Sequence, residues 1–237
     1  MQWLAPVWTS VVAPAALLIG GALVYTTLRP RAQGFGRVYW GGRASDDREQ
    51  PLVSLVISGA APPGQLHDTI AQLAEASVSG TFYLPGSLLS EQPEWMEHAH
   101  QAGHLLGNTG YDAGARQAWQ TSPYWRSQID RADDAVYDVI GRRPAFFQPP
   151  RGAKSPISLR EARLTGMQAV TWTRRLRDRS PKLNARAAAA TVPGSIVLIR
   201  MDQPKDRSAL PAYIDALRAR GFRWARLDEL LDTPGYR

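Results

Sequence analysis

From Pro51 onward, short apolar runs alternate with amphipathic stretches of helical period. That alternation restricts the chain to a parallel sheet covered by helices, either open or closed. Leu52–Ile57, Gly80–Leu84, His104–Gly107, Ala145–Phe147, Met167–Trp172, Ser195–Ile199 and Arg223–Leu227 read as strands. Leu66, Ile70 and Leu73 fall on one helical face, and Pro93 opens a helix that Gly103 stops. Ile129, Ala132, Val136 and Ile140 stripe a longer helix over Tyr124–Ile140, closed by Gly141. No internal repeat is visible.

The 237 residues, 44% of them hydrophobic, suffice for a real core and exclude a fully disordered chain. There is no cysteine, so disulfides, thiolate metal sites and cysteine nucleophiles are excluded. The formal charge is +7, and Lys154, Lys182 and Lys205 are the only lysines among 28 basic residues. An arginine excess of this kind follows from a GC-rich coding sequence or from an anionic partner. The arginines form no known nucleic-acid reading motif, so no nucleic-acid partner is expected.

Met1 to Leu28 carries no charged side chain. The apolar run Val7–Leu28, at 1.5 Å per residue, would reach about 33 Å, enough to cross a bilayer core. Trp3, Trp8 and Tyr25 lie near its ends, where amphipathic rings favour the interface. The expectation is a single-pass anchor over residues 1–29, with residues 4–28 in the membrane. A Gly- and charge-rich linker over 30–50 and one domain over 51–237 follow it. Arg29, Arg31 and Arg37 follow the span, which by the positive-inside rule would keep the domain in the cytoplasm.

Four segments resemble the polysaccharide deacetylase family, carbohydrate esterase family four. Gly80–Asp112 is similar to its second strand, following helix and second motif. Gln128–Ala153 is similar to the helix and third motif, Pro193–Asp202 to the last motif strand, and Ala209–Leu231 to the closing helix–strand–helix. The resemblance implies an α/β fold, a distorted (β/α) barrel with its groove at the C-terminal strand ends. It also implies metal-dependent N-deacetylation of amino-sugar polymers: one Asp as base, a second Asp and two His on a divalent metal such as zinc, and a later His as acid. Such polymers lie outside the cytoplasm, so the resemblance places the domain there, against the charge rule.

The residues that this chemistry needs are replaced. Ser58 stands at the base position and Gly59 at the metal Asp; Thr109 and Ala113 stand at the two His, and Arg200 at the acid. The third motif reads Gln148-Pro149-Pro150-Arg151-Gly152. No Asp, Glu or His lies between Leu52 and Leu66, so a shifted alignment restores nothing. Loss of a general base alone costs about 10²–10⁴ in rate. The expectation is therefore no catalytic residue, no metal and no cofactor. His98 and His100 point to opposite sides of a helix, while His67 and His104 read as surface or structural.

Arginines gather where the groove is expected. Tyr111, Asp112, Gln148, Arg151, Trp172, Arg175, Asp178, Arg200 and Asp202 are its candidate residues. Guanidinium groups suit bidentate capture of phosphate or carboxylate, so an acidic glycan, a lipid head group or another phosphate-bearing ligand is the expected partner. The alternatives are an active deacetylase with a relocated metal site and a membrane-bound scaffold that uses its outer surface.

Overall fold

The computed structural model describes residues 13–42, 50–112, 114, 117–176, 181–203 and 207–237. Strand β1 (Leu52–Ser58) is buried along its whole length, as expected of a central parallel strand covered on both faces. It pairs in parallel with β2 (Gly80–Tyr83) on one side and β7 (Ser195–Arg200) on the other. β3 (Leu105–Leu106) adds beside β2, and β6 (Arg174–Arg175) beside β7. β8 (Arg223–Trp224) pairs with the first residues of β1, below β2. A second pair, β4 (Phe146–Phe147) with β5 (Gln168–Ala169), joins the first sheet through a bridge from Asn108 to Phe147. The strands curve into a distorted, incompletely closed barrel: among the described residues no ladder joins β5 to β6, and single bridges from Tyr39 to Val170 and from Gly41 to Ser195 span that side.

Side chains alternate along each strand, so β1 faces two cores at once. Leu52 and Val56 point inward with Tyr83, Phe146, Val170, Ile196 and Leu198. Val53, Leu55 and Ile57 point outward, against helices α2 (Pro63–Glu75) and α8 (Leu210–Ala219). Leu66, Ile70 and Leu73 are the buried face of α2, as their spacing predicts. Each such side chain stabilises the fold by roughly 1.5–3 kcal/mol when fully buried. The remaining helices are α3 (Gly86–Ser90), α4 (Pro93–Gln101), α5 (Ser122–Ile140), α6 (Pro156–Leu164), α7 (Pro181–Ala189) and α9 (Leu227–Leu231). Gly141 ends α5 in the left-handed conformation at φ 65°, with its N–H donating to the Tyr137 carbonyl. Ser155 and Ser158 form a reciprocal cap at the start of α6.

The segment expected as one strand, Met167–Trp172, ends after Ala169. Arg174 and Arg175 then pair with Val197 and Leu198 as a separate strand, so they are not residues of a mouth loop.

The N-terminal apolar run forms α1 (Ala13–Leu28), a helix of 16 residues with Leu17, Leu18, Ile19, Val24 and Leu28 exposed. It is about 24 Å long, against a hydrocarbon core of about 30 Å. Among the described residues no helix is long and apolar enough to cross a membrane, so the expected span over residues 4–28 is not found as such. Residues 1–12 of the expected anchor lie outside the described ones.

The chain after α1 packs on the barrel. Val38 is buried, and Tyr39 forms a parallel bridge with Val170 while Gly41 bridges Ser195. The Tyr39 N–H donates to the Ala169 carbonyl, and the Tyr39 carbonyl accepts from Thr171.

Candidate functional site

Ser58, Tyr83 and Arg200 are partners in register at the C-terminal ends of three neighbouring strands. Residues paired across a parallel ladder project to the same side, so all three aim into the barrel mouth. Just beyond Arg200 the Met201 N–H extends the ladder to the Ser58 carbonyl at 2.8 Å, and the chain then turns back, with the Gln203 N–H donating to the Arg200 carbonyl at 3.2 Å. This turn carries Asp202 over Gly59. A Cβ on Gly59 would stand 2.9 Å from Asp202 Oδ1, and Gly59 itself has φ +97°, a conformation that L side chains rarely adopt.

The Asp202 carboxylate does not stand alone. Arg200 Nε donates to its Oδ1 at 2.8 Å, and the second guanidinium nitrogen binds Oδ2. Arg151 approaches Oδ2 at 3.7 Å. The Arg200 side chain is 13% exposed and that of Asp202 25%, so the two-pronged contact is partly shielded from water. Such a fork-to-carboxylate pair is the strongest kind of protein ion pair. Arg151 is held at φ 54°, a left-handed conformation that costs a non-glycine residue roughly 1–2 kcal/mol.

The expected second-motif position Thr109 is buried, and its hydroxyl donates to the Gln148 carbonyl at 2.8 Å. Beside it, Asn108 pins the loop. Its amide donates to the Ile129 carbonyl and to Asp133 Oδ1, both at 2.9 Å, and its oxygen accepts from the Gly110 N–H. Asp133 also binds Arg237, and burial pushes its carboxyl pKa up, against the lowering by Asn108 and Arg237.

A divalent metal does not fit this donor set. Gly59 offers no side chain, the Thr109 hydroxyl is committed to a backbone carbonyl, and the space beside Gly59 holds a carboxylate that two guanidiniums already engage. Among the described residues no group of three or more His, Asp or Glu side chains could hold a metal ion. Ala113 and Asp178 lie outside the described residues.

The other candidates divide. Gln148 and Trp172 belong to the mouth. Gln148 is buried, and its amide nitrogen has no hydrogen-bond partner among the described residues. The Trp172 indole lies on Gly152, where a Cβ would meet it at 2.4 Å. Tyr111 and Asp112 turn towards α5 instead. The Arg131 guanidinium stacks on the Tyr111 ring at 3.6 Å, and Asp112 and Gln128 exchange two hydrogen bonds at 2.7 Å. Arg175 sits in β6. The histidines are structural: His67 and His98 stack on each other, and His104 Nδ1 accepts the Gly80 N–H at 3.0 Å. Burial lowers the His104 pKa to about 4, with His98 adding a smaller push.

Sequence reasoning missed Tyr83 and Lys154. The Tyr83 hydroxyl is buried without a hydrogen-bond partner among the described residues, and burial raises its pKa. Period-two alternation from Thr81 was the signal that placed it inward. Lys154 is fully buried, and its N–H donates to the Thr27 carbonyl while its amine donates to the Arg29 carbonyl. It thus closes the C-terminal end of α1 onto the loop after β4, at the rim of the mouth. Its rarity in an arginine-dominated chain was the one available hint.

Residues 59–170 match the family model described as polysaccharide deacetylase. The chain is 25% identical over 169 residues to the peptidoglycan-N-acetylmuramic acid deacetylase PdaA of Bacillus subtilis, covering 67% of this chain and 63% of that protein. It spans less than two thirds of the length of several curated relatives that it matches. Among solved structures, the Bc1960 peptidoglycan N-acetylglucosamine deacetylase superposes with a TM-score of 0.76 at 21% identity, covering 84% of this chain and 95% of the other. BA3943 of Bacillus anthracis, described as a CE4 family pseudoenzyme, superposes with a TM-score of 0.72 at 23% identity, covering 83% and 70%. Both likenesses concern the fold.

Proposed function

From its place in the polysaccharide deacetylase family, which the family model, the curated relatives and the solved structures support, we propose that this chain is a deacetylase-like protein without hydrolytic activity. It works at a membrane, as a cleft for an acidic cell-wall glycan. One observation carries the reading: the place at Gly59 is filled by the Asp202 carboxylate, itself bound by Arg200. Deacetylation needs an open metal position and a base, and an occupied ion pair supplies neither. The solved pseudoenzyme of the same fold supports this choice.

In the cleft, Arg151 is the cation with reach to spare, since its side chain is 56% exposed and its contact with Asp202 is long. Trp172 beside it offers a ring face for a sugar. Residues 4–28 enter the bilayer, supported by the absence of charge before Arg29 and by the exposed apolar side chains of α1. The domain lies outside the cytoplasm, where cell-wall glycans are; a reporter fused after Arg237 tests that side.

The experiment is an acetate-release assay on N-acetylated peptidoglycan fragments with zinc, paired with a binding titration against acidic and neutral glycans. No acetate and a preference for the acidic glycan, lost in Arg151→Ala, are expected. Acetate release that a chelator abolishes overturns the reading.

A further inference from the structure

In the mouth, Asp202 pairs closely with Arg200 and only at 3.7 Å with Arg151, so Arg151 is the cation left for a ligand there. Further charge that meets no carboxylate among the described residues lies on the rim. A cleft of about 390 Å³ opens between the end of α1 and the segment after β5, lined by Tyr25, Arg29, Pro30, Arg31, Trp172 and Thr173. Among the described residues no acidic side chain lines it. Among the described residues no carboxylate pairs with Arg29 or Arg31, whereas Arg143, Arg200, Arg223, Arg226 and Arg237 each hold one.

The two guanidiniums are positioned by weak contacts that leave donors free. Arg29 lies over the Tyr25 ring at 5.7 Å, and Arg31 over the Trp40 ring at 5.1 Å. One Arg31 nitrogen donates to the Thr173 carbonyl at 2.8 Å. A guanidinium has five N–H donors, so several remain to face the cleft. The wall behind them is firm: Thr171 Oγ1 donates to the Pro30 carbonyl, and Lys154 holds the Arg29 carbonyl.

The cleft begins where the apolar side chains end. Leu28 is exposed, and Arg29 is the first charged residue of the chain. Tyr25, 60% exposed, and Trp119, 50% exposed, flank the same end of α1. Apolar helix, aromatic rings and then arginine follow the layering of hydrocarbon, interface and phosphate in a bilayer leaflet.

Resting on the membrane reading of residues 4–28, we propose that Arg29 and Arg31 bind the phosphodiester head group of an anionic lipid in this cleft. The site would fix the depth of the domain at the leaflet surface and hold lipid phosphate next to Trp172.

The test uses the full chain in zwitterionic micelles. Dioctanoyl phosphatidylglycerol, dioctanoyl phosphatidylcholine and inorganic phosphate are titrated separately, and tryptophan emission is read. Tighter binding of phosphatidylglycerol is expected, weakened about tenfold in Arg29→Ala/Arg31→Ala and largely kept in Arg29→Lys/Arg31→Lys. Arg151→Ala serves as the mouth control and leaves this binding unchanged. Equal binding by the alanine variant, or equal binding of the two lipids, overturns the proposal. Inorganic phosphate binding as tightly as the lipid overturns the lipid source. Flotation with pure phosphatidylcholine vesicles separates the two readings. A wild-type chain that fails to float sinks the membrane reading, while one that floats with arginine-independent lipid binding sinks only this proposal.

Discussion

The Asp202 carboxylate stands 2.9 Å from the point that a Cβ on Gly59 would occupy. The relation is mutual: the carboxylate fits because position 59 has no side chain, and a side chain at position 59 would collide with Asp202 while Arg200 holds it there.

Gly59→Asp alone is expected to destabilise the protein by about 2–4 kcal/mol and to bind no zinc. It imposes a side chain at φ +97° and crowds a second carboxylate against the first. Urea melts and zinc titration check this. An unchanged midpoint would show that Asp202 moves aside freely.

Arg200→Leu leaves Asp202 with only the 3.7 Å contact to Arg151. Because the carboxylate is partly exposed, the expected loss is modest, about 1–2 kcal/mol. Pairing it with Asp202→Asn should recover part of that loss. A double-mutant cycle with no coupling energy would mean that the ion pair contributes nothing to stability.

Lys154 couples the end of α1 to the barrel, and burial lowers its pKa to about 8 from 10.5. The unfolded chain therefore binds more protons between pH 8 and 10.5, and stability should rise with pH across that window. The gain is about 2 kcal/mol by pH 10, before the buried tyrosines, whose raised pKa values act in the opposite direction at higher pH, take over. In Lys154→Met the rise should vanish. Denaturation midpoints at pH 7.5, 8.5 and 9.5 decide it, and a wild-type curve as flat as the variant's refutes the assignment.

His104 acts at the other end of the scale. Burial lowers its pKa to about 4, below the usual 6.5, so the unfolded chain takes up the proton first on acidification. Stability should fall between pH 6.5 and 4. His104→Leu removes that slope and costs about 1–3 kcal/mol at pH 7, because the Gly80 N–H loses its acceptor. A variant that keeps the full acid slope would move the titration to another group.

The strand–helix alternation was legible because burial imposes it on side chains. β1 reads Leu-Val-Ser-Leu-Val-Ile-Ser and is buried throughout, and the α2 stripe falls where its spacing puts it. The expectation that Ser58, Gly59, Thr109 and Arg200 stand at the family's motif positions rests on residue identity alone; the structure places Ser58 and Arg200 in register on neighbouring strands. Residues 38–41 gave no signal, since they attach by main-chain hydrogen bonds that any sequence can make. The break between β5 and β6 was hidden for the same reason. Within the site, the turn that brings Asp202 over Gly59 is fastened by two backbone hydrogen bonds, and Lys154 finds its partner 125 residues away. That Tyr111 and Asp112, groove candidates by sequence, are fastened to α5 by Arg131 and Gln128 is something sequence order does not disclose.

Lys154 grips the Thr27 and Arg29 carbonyls and so fastens the end of α1 to the body. The loop that carries Lys154 also carries Arg151, so the fastening point of the helix and the exposed cation of the mouth lie three residues apart on one stretch of chain.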